Sequence, residues 1–390
     1  GRHRTRLTLE RTAPEPGEEG GSRGYSLDEM ADVAERQLKD WGMVGKCAPL
    51  VLVLGHGSES LNNPHESAHD CGACGGSAGG ANGRAVAAML NDVRVRQRLA
   101  ARGLEIPSGT RFVGGLHNTA DDHAELYDLD LVPDSHRALL EGARRDLAEA
   151  CRRNAHERCR RFRSAPLDLS SEEALAHVEQ RAHDLAETRP EWGHASNALC
   201  IVGRRGRTRG LFLDRRSFLV SYDASQDGEG SPVLTRILSA VVPVCGGISL
   251  EYYFSHVDNS GFGCGSKLPH NITALLGVMD GAASDLRTGL PWQMVEIHEP
   301  VRILFIVEAA PEALLGIMDR NPAIAADIRN GWVQLAVLDP SSAQVRLFDG
   351  TGFRDHAPEA AALPRAASSV DWYRGWRDHL DFALAGGGAR

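Results

Sequence analysis

The 390-residue chain lacks any run of about 18 uninterrupted apolar residues, the length a helix needs to span a bilayer. Its most apolar segment, Ile237 to Ile248, is short and is interrupted by Pro243, Gly246 and Gly247. Membrane association is therefore expected through a partner or a surface, not through a spanning helix. A surplus of positive charge is also missing: the formal net charge is −9, which excludes the basic footprint of a nucleic-acid binder. The exception is local. The arginines between Arg144 and Arg163 read as a solvated helix face, or as a contact for a partner or an anionic lipid surface. The eight cysteines show no framework-like spacing, which argues against a disulfide scaffold and for a reducing compartment. No internal repeat is visible. No apolar leader segment follows the first residues, so the cytoplasm is the expected location.

What is present is enough for a sizeable core and two or three domains, with 42% hydrophobic and 24% charged residues. Residues 1–24 are charged and rich in Gly and Pro, and read as a linker or a disordered start. Ser26 to Glu29 has the form of a capping box opening a helix through about Lys39. Leu50 to Leu54 is a short continuous apolar run, the mark of a buried strand in a parallel sheet. A long polar loop follows, then a helix over Gly83 to Leu99, a second strand over Arg111 to His117 and another polar loop through Asp122. Helices are expected over Ser135 to about Arg163 and over Ser170 to Glu187. Strands ending in polar loops before helices are the pattern of an α/β region with a parallel or mixed sheet, placed here at residues 25–190. Residues 191–390 read as a smaller α+β region, with strands at Ala198 to Val202, Leu211 to Tyr222, Ile303 to Val307 and Val333 to Leu338, and a helix near Pro311 to Arg320.

The chemistry concentrates in the loop after the first strand, GHGSESLNNPHESAHDCGACGG over residues 55–76. His56, His65, His69, Cys71 and Cys74 fall within about twenty residues, a donor set suited to zinc. The spacing is not that of a zinc finger, because no second CxxC or HxxxH follows Cys71 and Cys74. A redox pair remains open, but that reading wants the CxxC at a helix start directly after a strand. Ser58 as a nucleophile lacks the G-x-S-x-G elbow, and the glycine-rich stretch from Cys71 to Gly83 lacks the Gly-Lys-Ser/Thr ending of a phosphate loop. Asp121, beside Asp122, lies past the second strand and is a candidate to support a site there, as is His117 at that strand's end.

The loop, together with NGRAVAAMLNDVRVRQRLAARGLEIP and FVGGLHNTADD, closely resembles the DabA family. Further segments, RPEWGHASNALCIVG, LDRRSFLVSYD, LEYYFSHVDNSGFGCGSKLPHNI and GLPWQMVEIHEPVRILFIVEAAPE, extend the resemblance over nearly everything after residue 24. The resemblance implies a core like that of β-class carbonic anhydrases, with Zn2+ held by a Cys-x-Asp segment, a His and a Cys. The His and Cys correspond to His56 and Cys71. Asp70, Cys74, His65, His117 and Asp121 are then candidates for orienting them. Upstream of His56 the only cysteine is Cys47, followed by Ala48 and Pro49, so half of the ligand set is expected here and the chain is expected to be the C-terminal half of a longer protein.

The resemblance also implies a partner, a DabB-like proton-conducting membrane subunit. Cation flow through it would drive one-way hydration of CO2 to bicarbonate by a peripheral protein on the cytoplasmic face of the inner membrane. Two alternatives stand beside this expectation: a structural zinc module that only docks on the transporter, and an unrelated soluble zinc hydrolase. The segments Leu250 to Phe254, His256 to Asn259, Gly289 to Gln293 and His298 to Pro300 read as scaffold core, or as borders of the CO2 pocket or the partner interface.

Overall fold

A computed structural model describes residues 6–11, 23–61, 70, 76–184, 189–191, 196–262, 278–279, 286–287, 295–297, 299–357 and 362–386. They fall into two compact units, the first drawn from residues 1–58, 67–119 and 123–150, the second from 59–66, 120–122 and 151–390.

The first unit begins with helix α1 (Leu27–Asp40), closed at its start by the expected capping box between Ser26 and Glu29. Strands β1 (Leu50–Gly57) and β2 (Arg111–Asn118) pair in parallel, and β3 (His123–Leu126) pairs antiparallel with β2. The helix expected over Gly83 to Leu99 is two helices, α2 (Gly80–Asn91) and α3 (Val93–Ala101). Asp92 divides them: its backbone is extended and its side chain accepts from the Arg94 N–H, so it caps α3 and cannot continue α2. Helix α2 lies unusually close to the sheet. A Cβ on Gly55 would stand 2.0 Å from the Gly79 carbonyl oxygen, and one on Gly114 would stand 2.5 Å from the Arg84 Cα. Only glycine permits this approach. One face of the sheet buries Phe112 against Met30, Leu38, Leu90 and Leu99 from the three helices. The other face packs Leu50, Leu52 and Val113 against Val132 and Leu140. Leu140 belongs to α4 (Arg137–Cys159), within which the division between the units falls, after Ala150.

In the second unit α5 (Ser171–Ala182) starts at a second capping box, between Ser170 and Glu173. The central sheet has six strands: β4 (Leu199–Gly203), β5 (Ser217–Ser221), β6 (Leu304–Glu308), β7 (Gln334–Leu338), β8 (Val345–Phe348) and β9 (Phe353–His356). Their order is β9-β8-β7-β6-β4-β5. Strands β7, β6, β4 and β5 are parallel, and β8 and β9 are antiparallel additions. This six-stranded sheet is larger than the first unit's three-stranded one, and its parallel part is α/β, so the expectation of a smaller α+β region is corrected. The strand expected over Leu211 to Tyr222 is also interrupted. Asp214 and Arg215 take left-handed backbone conformations (φ 52° and 54°), which turn the chain before β5.

The segment from Pro232 to Val257 differs from expectation as well. Helices α6 (Pro232–Val241) and α7 (Gly247–Val257) are joined by a π-helical turn over Val242–Gly246. The wider turn accommodates Pro243, so the helix continues where the sequence suggested a break. By length and composition alone, this 26-residue helix is long and apolar enough to cross a membrane. Here its inner face, with Leu234, Leu238, Val242 and Cys245, packs into the core around Cys200, Phe305 and Val307, together with α8 (Pro311–Arg320) and α9 (Pro322–Arg329).

Candidate functional site

The parallel pairing of β1 and β2 places His56 in register with His117. Paired residues of neighbouring strands lie about 4.8 Å apart and project from the same face. The two histidines thus occupy neighbouring positions where both strands run out. The main chain at this end is tied from several directions. The Gly79 N–H, just before α2, donates to the His56 carbonyl at 2.7 Å. The Gly57 carbonyl accepts from the Thr119 N–H at 2.8 Å and from its hydroxyl at 3.0 Å. The Ser58 N–H donates to the Asp70 carboxylate at 2.7 Å. Asp70, twelve residues downstream, therefore brings the far end of the loop back to the strand from which it left.

His56 is exposed and His117 is half-buried. Ser58 is only 1% exposed, which leaves a substrate no access to its hydroxyl, so the geometry gives the nucleophile reading no support. The expected sites at Cys71, Cys74 and His65 lie outside the described residues, as do Gly289 to Gln293 and His298. Among the described residues no group of three or more His, Cys, Asp or Glu side chains is placed to hold a metal ion. Asp121, half-buried, belongs to the second unit, whereas His117 belongs to the first.

Several charged side chains that sequence reasoning treated as surface are buried anchors. Arg158, in the basic stretch, is fully buried. It donates to Asp122 at 2.5 Å and to the Ala120 carbonyl at 3.1 Å, and Asn154 donates to the other Asp122 oxygen at 2.6 Å. Arg160, also buried, pairs with Asp214, which further accepts from the Leu380 N–H at 3.1 Å. Arg144, Arg145 and Arg153 are exposed as a solvated face requires. Periodicity shows which side of a helix faces inward, but gives no sign that an inward arginine has a carboxylate waiting 36 residues away. In the second sheet, Glu308 at the end of β6 is buried and accepts from the Arg204 N–H at 2.7 Å and from the Arg207 guanidinium at 2.8 Å. Burial pushes the Glu308 carboxyl up, but the hydrogen bonds from Arg204 and Arg207 outweigh it and hold the group below the usual carboxylate range.

Comparison with known proteins bears on what these features serve. The family model described as "Probable inorganic carbon transporter subunit DabA" matches residues 1–333. The "Probable inorganic carbon transporter subunit DabA 2" of Rhodopirellula baltica is 56% identical over 379 residues, covering 97% of this chain and 35% of that protein. The "Probable inorganic carbon transporter subunit DabA" of Dechloromonas aromatica is 50% identical over 394 residues, covering 100% of this chain and 38% of that protein. The relative from Azotobacter vinelandii, described in the same words, is 47% identical over 374 residues, covering 96% of this chain and 44% of that protein. The chain thus spans well under half the length of these curated relatives. No solved structure matches it.

Proposed function

This chain belongs to the DabA family of probable inorganic carbon transporter subunits, and from that premise we propose that it carries half of a zinc site in a peripheral subunit that hydrates CO2 for uptake. The observation that carries the proposal is the strand end itself. His56 and His117 stand in register there, and Asp70, the residue before Cys71 in sequence, fastens the returning loop to Ser58. In this reading His56 and Cys71 bind the metal, and the remaining two donors come from a Cys-x-Asp segment elsewhere in the protein, as the family resemblance implies.

The chemistry of the donors fits zinc, since imidazole and thiolate are its preferred ligands. When bound, zinc acts as a Lewis acid that makes water a nucleophile near neutral pH, which is what CO2 hydration requires. The protein's own part is positional. The rigid strand end fixes the His56 ring, His117 orients the site from the neighbouring strand, and Asp70 restrains the loop. The parallel strands ending at a polar loop agree with a β-carbonic-anhydrase-like core. The first half thus supplies chemistry and the second unit supplies scaffold and docking surface. The partner is a DabB-like proton-conducting membrane subunit on the cytoplasmic side, where cation flow makes hydration one-way and bicarbonate accumulates.

The test is uptake by the full-length protein with its membrane partner, in cells that otherwise need elevated CO2. His56→Ala and Cys71→Ala are each expected to abolish growth in air at unchanged protein level. Uptake that survives both changes removes the loop from the chemistry. Zinc retained at a site that yields no bicarbonate would instead make the module structural.

A further inference from the structure

The first unit also carries an unfinished sheet edge. Strand β1 pairs with β2 alone, so it is the outermost strand among the described residues. The Arg111 N–H donates to the Pro49 carbonyl and the Thr119 N–H to the Gly57 carbonyl, both at 2.8 Å. In a parallel ladder every second residue of a strand bonds to the same neighbour. Val51, Val53 and Gly55 therefore turn their main-chain groups towards β2, while Leu50, Leu52, Leu54 and His56 turn theirs away. The outward His56 carbonyl is taken by the Gly79 N–H at 2.7 Å. Among the described residues, the N–H and carbonyl groups of Leu50, Leu52 and Leu54 have no hydrogen-bond partner.

This edge is not built to face water. Open edge strands are normally guarded by a charged side chain, a proline or a bulge. Leu50 to Gly57, LVLVLGHG, has no Lys, Arg, Asp, Glu or Pro, and its register against β2 runs unbroken. Both faces of the strand are packed. Val51 and Val53 join the cluster around Phe112, and Leu50 and Leu52 join Val113, Val132 and Leu140. Apolar residues on both faces mark an interior strand of a parallel sheet. Yet Leu50 to Val53 are only half-buried and Leu54 is 36% exposed, whereas Phe112 and Val113 on β2 are buried. The contrast with β2 is direct. Where β3 stops short of the start of β2, the Asn91 side chain accepts from the Phe112 N–H at 3.1 Å and donates to the Phe112 carbonyl at 2.7 Å, closing that edge. Among the described residues no side chain does this for Leu50, Leu52 or Leu54.

We propose that the free edge of β1 is a docking site for one further β-strand, contributed by the part of the same full-length polypeptide that lies outside these 390 residues. That part is large, since the chain spans 35%, 38% and 44% of the three relatives compared above. The incoming strand pairs its main chain with Leu50, Leu52 and Leu54 and lays apolar side chains over both faces of the sheet. Packing on both faces favours a parallel strand, whose carboxyl end then lies beside His56. The docking site rests on the edge alone and stands whether or not His56 binds zinc.

The test is residue-resolved amide hydrogen exchange on the purified full-length wild-type protein, joined by photocrosslinking from benzoylphenylalanine placed at Leu54. Pairing with β2 cannot protect the Leu52 and Leu54 amides, because they point away from it. They are expected to exchange at least about 100-fold more slowly than in a free peptide, and within about tenfold of the Val113 amide. The crosslinks are expected to include a peptide of the same molecule from outside these 390 residues. Leu52 and Leu54 amides that exchange at the free-peptide rate while Val113 stays protected show an open edge and overturn the proposal. So do crosslinks confined to these 390 residues, and so does a crosslink between isotopically light and heavy copies, which gives the edge to a second molecule.

Discussion

Replacing Asp70 by alanine tests how the loop is held. Its carboxylate accepts the Ser58 N–H at 2.7 Å, and Ser58 is 1% exposed, so water cannot take the place of the lost acceptor. A hydrogen bond to a charged group contributes about 1.5–3 kcal/mol, and a buried donor left unpaired costs a similar amount. If the same bond positions the loop for metal binding, that energy appears in the zinc affinity. Each 1.4 kcal/mol is about tenfold, so Asp70→Ala is expected to weaken zinc binding by about 10- to 100-fold. Asp70→Asn, which keeps an acceptor oxygen, is expected to weaken it by less. The assay is competition with a chromophoric chelator on the full-length protein, with thermal unfolding of the metal-free form measured in parallel. Zinc affinity within twofold of wild type, with lowered stability, would refute the coupling and leave Asp70 a purely structural tie.

Gly55→Ala forces a Cβ to 2.0 Å from the Gly79 oxygen, and is expected to cost about 3 kcal/mol or more in denaturant unfolding, because the obstacle is backbone. Removing one partner of the buried Arg158–Asp122 pair, as in Arg158→Met, is expected to cost about 3–5 kcal/mol, whereas Arg158→Met with Asp122→Leu should cost clearly less than the sum of the single changes. For the first capping box, hydrogen bonds from Arg11 and from the Ser26 N–H hold the Glu29 carboxyl down to about 2 from 4.5. A depressed acid stabilises above its unfolded value, and that contribution is lost as pH falls towards the folded value. The stability advantage over Glu29→Gln should therefore be full above pH 4.5 and fade as pH falls towards about 2, as read from unfolding midpoints across that range.

Much of the first unit was legible because local chemistry and the fold agree. The Ser26 capping box and the apolar run of β1 each follow from residues a few positions apart. Features that depend on pairing were not legible. Both strands were visible in the sequence, but the register that sets His56 against His117 follows from how the strands align in space. The same holds for Arg158 and Asp122, and for Asn91 closing the edge of β2. Pro243 misled for a different reason: a π-helical turn absorbs it, so the usual rule for helix interruption did not apply. The left-handed backbone at Asp214 and Arg215 carries no glycine to announce it.

The most direct measurement is zinc per chain in the full-length protein, for wild type, His56→Ala and Cys71→Ala purified identically. Close to one zinc is expected in the wild type and very little in either variant, with the fold retained by circular dichroism. Full zinc occupancy in both variants would contradict it, and would move the metal, if it has a role, away from the strand end.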